Sequence, residues 1–185
     1  MVAKFTHYLH SRLIAACGGR IKSYMNKETT GPQESVWDYP RPPRLEPCSQ
    51  QIRVEFDGEV IAETGAAYRV LETSHPPTYY IPLRDIRMEF LKPGRGQSFC
   101  EFKGQARYWN VESGTRASPK AAWSYPEPTP SFAEIRDYVA FYPSRVDACY
   151  VDGERVQAQQ GDFYGGWITS GIAGPFKGAA GTAGW

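Results

Sequence analysis

The segment Ile52-Arg-Val-Glu-Phe-Asp-Gly58 constrains the fold more than any other part of this chain. Ile52, Val54 and Phe56 alternate with Arg53 and Glu55, the period-2 pattern of a strand with one buried face. Asp57-Gly58 then supplies the two residues that a tight hairpin turn asks for, and Glu59 to Glu63 reads as the returning strand. A second Asp-Gly step, Asp152-Gly153, follows the apolar stretch Asp147-Ala-Cys-Tyr-Val151. The two hairpins share the order Asp-Gly-Glu, through a duplication or through shared turn chemistry.

Other short runs rich in β-branched and aromatic residues predict strands at 68–71, 78–81, 87–91, 98–102, 105–111, 121–124 and 138–142. With 18 Gly and 15 Pro in 185 residues, turns must be frequent. Ser131-Phe-Ala-Glu134 has the spacing of a capping box, with Phe132, Ile135 and Val139 on one helical face. A second helical turn is expected at Pro82-Leu-Arg-Asp85. The fold class that follows is mainly β: a single compact domain of short antiparallel strands with one or two short helices.

Four regions are expected. Residues 1–24 carry Lys4, Arg12, Arg20 and Lys22 without an acid, and read as a mobile basic segment. A start at Met25 or a transit peptide are both readings of it. Residues 25–50 form a Pro-rich arm, in which Tyr39-Pro-Arg-Pro-Pro-Arg-Leu-Glu-Pro47 favours polyproline II and excludes helix. Trp37 and Tyr39 would anchor that arm. The folded body spans 51–160, and 161–185 is a Gly-rich tail that packs on it through Trp167 and Trp185.

Composition removes several function classes. A net charge of +1 gives no global electrostatic case for nucleic acid or an anionic membrane. No apolar run reaches the roughly 20 residues of a bilayer span. Cys17, Cys48, Cys100 and Cys149 form no C-x-x-C pair, and His7, His10 and His75 do not cluster with them, so neither a metal site nor another cofactor is expected. Reduced thiols in a cytoplasm are the expected state. A homo-oligomer is left open. Gly-Pro-Phe-Lys-Gly178 lacks the spacing of a phosphate loop.

One stretch is hard to bury in an ordinary core: Ser98-Phe-Cys-Glu-Phe-Lys-Gly-Gln-Ala-Arg-Tyr-Trp-Asn-Val111. In a regular strand Phe99, Glu101 and Lys103 share one face, which makes a Glu101–Lys103 pair easy and turns Cys100 the other way. Lys103 is either that pair or, if desolvated, a nucleophile. Cys100 is a buried thiol or, beside a base, a thiolate. His75, in a Pro-rich loop beside Tyr79 and Tyr80, is a hydrogen-bonding loop residue or an acid–base group. Asp85 caps a turn. Tyr108, Trp109, Trp123 and Tyr125 supply aromatic walls; alternation puts Tyr108 and Trp109 on opposite faces, so one of those two belongs to the core.

An ordered set of motifs resembles a bacterial family, domain of unknown function 427. It runs Trp37-Asp-Tyr-Pro40, Tyr79-Tyr-Ile-Pro-x-x-Asp85, Cys100-x-x-Lys-Gly-x-Ala-x-Tyr-Trp109, Ala122-Trp-Ser-Tyr-Pro126, Val139-Ala-Phe-Tyr142 and Val151-Asp-Gly153, and spans Glu34 to Trp185. The resemblance implies a β-tent-like domain, similar to methionine sulfoxide reductase B and the thalidomide-binding domain of cereblon. Members are sometimes labelled nucleotidyltransferases, but no paired carboxylates with a Gly-Ser signature support that here. The two zinc-holding C-x-x-C pairs of other β-tent proteins are missing, and Glu101 stands where the family often has Pro.

These readings converge on a pocket lined by His75, Tyr80, Glu101, Lys103, Tyr108 and Trp123. The expected function is binding of a small polar or planar molecule. An enzyme using His75 and Lys103, or Cys100, is the first alternative, and a structural or protein-interaction module the second.

Overall fold

The computed structural model describes residues 32–161, 163–182 and 184–185. The basic segment 1–24, Met25, His7, His10 and Cys17 lie outside the described residues. The described residues run through fifteen strands: β1 (Glu34–Ser35), β2 (Arg44–Cys48), β3 (Ile52–Phe56), β4 (Glu59–Thr64), β5 (Ala67–Leu71), β6 (Thr78–Pro82), β7 (Leu91–Cys100) and β8 (Gly104–Glu112) come first. β9 (Ala117–Ser124), β10 (Tyr138–Phe141), β11 (Ala148–Val151), β12 (Glu154–Arg155), β13 (Gln157–Ala158), β14 (Trp167–Ile168) and β15 (Ile172–Ala173) complete them. The helices among the described residues are all short and of the 3-10 type. The protein is therefore mainly β, as its turn-bounded alternation requires.

Two antiparallel sheets organise the domain. The larger has seven strands in the order β2-β5-β6-β10-β9-β8-β7, and the smaller four in the order β12-β11-β3-β4. Both Asp-Gly steps make the expected turns: Asp57 and Gly58 have φ of 53° and 77°, Asp152 and Gly153 of 50° and 83°. Asp tolerates this left-handed backbone better than most side chains, and Gly adopts it freely. The two hairpins stand side by side, because β11 pairs antiparallel with β3 from Ala148↔Glu55 to Val151↔Ile52.

Between the sheets lies the main core. Ile52, Val54, Phe56 and Ile61 of the small sheet meet Tyr79, Ile81, Val139 and Phe141 of the large one. Ile52, Val54, Phe56, Ile81, Val139 and Phe141 are fully buried. Each such side chain contributes about 1.5–3 kcal/mol by leaving water. Trp167 enters the same core from the Gly-rich tail and donates its indole N–H to the Phe141 carbonyl at 3.1 Å. Trp185 instead packs edge-on against Trp37, 5.4 Å between centroids.

Several expectations are corrected. The Pro-rich arm does not stay polyproline: Arg44–Cys48 is β2, paired with β5. β2 is an edge strand, where Pro47 costs no ladder donor. In place of a strand at 87–91, Met88–Phe90 is a 3-10 turn and β7 begins at Leu91. The capping box does not form. Pro130–Ile135 is a kinked pair of 3-10 turns without a side-chain cap, Phe132 leaving helical geometry (φ −126°, ψ 20°). The hydroxyl that could have capped it, on Thr129, donates to the Phe102 carbonyl instead. The turn at Leu83–Asp85 forms, but Asp85 does not cap it; its carboxylate accepts from the Thr64 hydroxyl at 2.6 Å.

Candidate functional site

The two faces of the large sheet differ, and the second carries the site. In β6, Tyr79 and Ile81 point into the inter-sheet core while Tyr80 belongs to a separate aromatic cluster. Register then lines up one row of side chains across four strands: Tyr80 of β6 opposite Ala140 of β10, Ala140 opposite Trp123 of β9, and Trp123 opposite Tyr108 of β8. Ala140, the small member between Tyr80 and Trp123, is fully buried and lets the two rings reach each other. The Trp123 indole donates to the Tyr80 hydroxyl at 3.3 Å, and Tyr142 packs on Trp123 at 4.4 Å between centroids. Such ring pairs add about 0.5–1.5 kcal/mol beyond burial and fix the walls.

Over this row lies a cavity of about 440 Å³. His75, Tyr80, Glu101, Lys103, Tyr108 and Trp123, the six residues singled out in the sequence, all border it. Tyr125, Tyr142, Phe163, Tyr164, Arg41 and Lys177 also border it, and of these only Tyr125 was singled out as a wall. Tyr142 lay inside a recognised motif; what hid it was register, since nothing local says that the residue after β10 will cover Trp123. Arg41, Tyr164 and Lys177 come from the arm and the tail, which no strand pattern connects to the sheet.

Tyr108 and Trp109 divide as alternation requires. Tyr108 faces the cavity and donates to the Ser98 hydroxyl at 2.9 Å; Trp109 packs against the inter-sheet core and donates to the Ser124 hydroxyl at 2.9 Å. The register shift in β8 comes after Trp109, too late to bring both rings to one side.

The expected Glu101–Lys103 pair does not form. β7 stops at Cys100, and Glu101-Phe102-Lys103 is the turn of a hairpin in which Cys100 pairs with Gly104 (φ +96°). A turn has no strand parity, so the shared face on which the pair depended is absent. Glu101 reaches outward to Arg41, whose guanidinium also holds Glu72, at 2.8 and 2.6 Å. Lys103 folds inward. Only 9% of it is exposed, and its ammonium lies 5.7 Å from the Phe132 ring centroid. Among the described residues no carboxylate pairs with it. An ammonium on an aromatic face gains part of what an ion pair would give.

His75 is held by a different rule. Its Nδ1 is 2.9 Å from the Thr73 carbonyl, and a carbonyl only accepts, so Nδ1 carries the proton and Nε2 is left as an acceptor. Its ring stacks edge-on against Tyr164 at 5.0 Å. Burial pushes the imidazole below its ordinary value, against the opposing pull of Thr73 and Glu72. Among the described residues no hydrogen bond joins His75 to Cys100 or Lys103, so the nucleophile–base contact of an acid–base dyad is not present. Burial also raises the phenols of Tyr80 and Tyr125 far above the ordinary range, and that of Tyr142 to about 12. These hydroxyls therefore remain neutral donors. Cys48, Cys100 and Cys149 are free thiols, and among the described residues no group of His, Cys, Asp and Glu is placed to hold a metal.

Phe163, Tyr164 and Gly165 border the cavity from the tail. A Cβ at Gly165 would lie 2.2 Å from Cη2 of Trp123, so only glycine allows the backbone to approach the indole this closely.

The fold and site thus define a mainly β domain of two antiparallel sheets with a buried aromatic cluster on the outer face of the larger one. The sequence profile of the family described as domain of unknown function (DUF427) matches residues 44–152, and the chain belongs to that family. The matched span contains the whole Tyr80–Ala140–Trp123–Tyr108 row, and its first residue is the first of β2. A search of curated proteins gave no match.

Proposed function

We propose that this domain binds a small planar molecule in the aromatic cavity of the seven-stranded sheet. The observation that carries the reading is the cross-strand row: Tyr80, Trp123 and Tyr108 come together on one face of the sheet and border one cavity with polar tips at its walls. About 440 Å³ lies within the 300–1,000 Å³ range of small-molecule sites. Neutral phenols and the indole N–H would orient the ligand, and the rings would stack on its plane. The described cysteines Cys48, Cys100 and Cys149 are free thiols, the state a reducing compartment leaves, and this supports a cytoplasmic site of action.

A thermal-shift screen with planar heteroaromatic compounds tests the reading. At least one class should raise the melting temperature, and the rise should be lost in Trp123→Leu, checked for folding by circular dichroism. A screen in which no planar compound shifts the wild-type protein, or in which Trp123→Leu responds as the wild type does, removes the reading.

A further inference from the structure

The cavity's charges are not equally available. Arg41 is committed to two carboxylates, Glu72 and Glu101. Lys177 donates to the Trp185 carbonyl and lies 5.9 Å from the Tyr164 ring centroid. Glu72 and Glu101 are in turn taken by Arg41. Lys103 alone among the cavity's described cations has neither a carboxylate nor a hydrogen-bonded oxygen, and it is almost wholly withdrawn from bulk water. A charge so placed is costly unless something of opposite sign completes it. The surrounding donors, the phenols of Tyr80, Tyr125 and Tyr142, are neutral and add no second positive charge.

From this arrangement we infer that the ligand is a planar aromatic monoanion of the carboxylate type, its charge set against Lys103 and its ring over the Tyr80–Trp123 row. The inference rests on the binding reading above and narrows it. One available ammonium balances one negative charge. A phosphate dianion would be left half compensated unless Arg41 abandoned both of its carboxylates, so nucleotides are disfavoured.

Isothermal titration with indole-3-carboxylate, its neutral analogue indole-3-carboxamide, and adenosine monophosphate separates the cases. The carboxylate should bind the wild-type protein at least tenfold more tightly than the carboxamide and more tightly than the nucleotide. In Lys103→Met the tenfold difference should vanish while carboxamide affinity stays within twofold. Raising sodium chloride from 0.05 to 0.5 M in the wild type should weaken the carboxylate and leave the carboxamide unchanged, a readout that stands even if the variant misfolds. Equal affinities for acid and amide, or tighter nucleotide binding, overturn the monoanion inference and leave the planar-ligand reading intact. Failure of all three to bind at millimolar concentration overturns both.

Discussion

The two faces of the seven-stranded sheet are made by the same strands yet obey different packing rules. Toward the small sheet they present Ile81, Val139, Phe141 and Val111, fully buried and without polar tips. On the other face the neighbouring positions present Tyr80, Ala140, Trp123 and Tyr108. The first set interdigitates with a partner sheet and fills its space. The second meets a kinked 3-10 segment, the Glu101–Lys103 turn, the arm at Arg41, the His75 loop and the tail loop, and borders a cavity. Alternation decides which residue goes where, but what makes one face a core and the other a cavity wall is what covers it: a second sheet on one side, turns and loops on the other.

The contrast can be broken most sharply from the core side. Phe141→Ala should cost about 3–5 kcal/mol in urea unfolding, because the sheets cannot close on the void; a loss under about 1 kcal/mol would mean that the inter-sheet face is loosely packed after all. The aromatic face should show itself next in alkali. Tyr142 keeps its proton to about 12 when folded, whereas an unfolded tyrosine ionises near its ordinary value of 10.0. Its contribution is whole below 10 and is lost as pH rises through 10 toward 12, at about 1.4 kcal/mol per pH unit. Tyr142→Phe should therefore flatten the alkaline limb of a stability–pH curve, and an unchanged slope would show that the ring is hydrated. Gly165→Ala comes third: the added methyl must displace the Trp123 indole, costing about 1–3 kcal/mol and altering the tryptophan emission spectrum. Spectra that superimpose would show that the loop simply lifts. The smallest effect belongs to His75. Its imidazole is depressed below the ordinary 6.5, so stability is full above 6.5 and falls as pH drops toward the depressed folded value, the unfolded chain taking up the proton first. His75→Asn should reduce that acid loss by less than about 1.4 kcal/mol per unit, read from melting temperatures between pH 7 and 5.

Much of the fold was legible because its signals are local. Ile52 to Phe56 alternates, Asp57-Gly58 has the turn's two left-handed residues, and both statements concern seven consecutive positions. The six cavity residues were likewise named from local composition. What failed was parity across a break: Glu101 and Lys103 are two apart, but a turn stands between them and sends one outward and the other in. Gly104, directly after Lys103, has the positive φ that ends the turn. The arm misled for another reason. Pro47 argues against a strand unless the strand is an edge, and edge position is a property of the sheet rather than of the residues. Tyr142, Tyr164 and Arg41 were missed because only tertiary closure brings them to Trp123 and Glu101.

The side-by-side placement of the two Asp-Gly hairpins fixes an order of assembly. β3 emerges near the start of the folded body, yet its second neighbour, β11, arrives nearly at the end of the span shared with the family. Until Val151 has been synthesised, β3 carries an open edge whose backbone groups face water or another chain. The ring that then seals the junction between the sheets, Trp167, comes later still. Ordering so distant a pairing means closing a long loop before most of the core is formed, which slows folding relative to domains made of neighbouring contacts. The edge of β3 that faces β11 is therefore the part of the first hairpin most in need of protection while it waits.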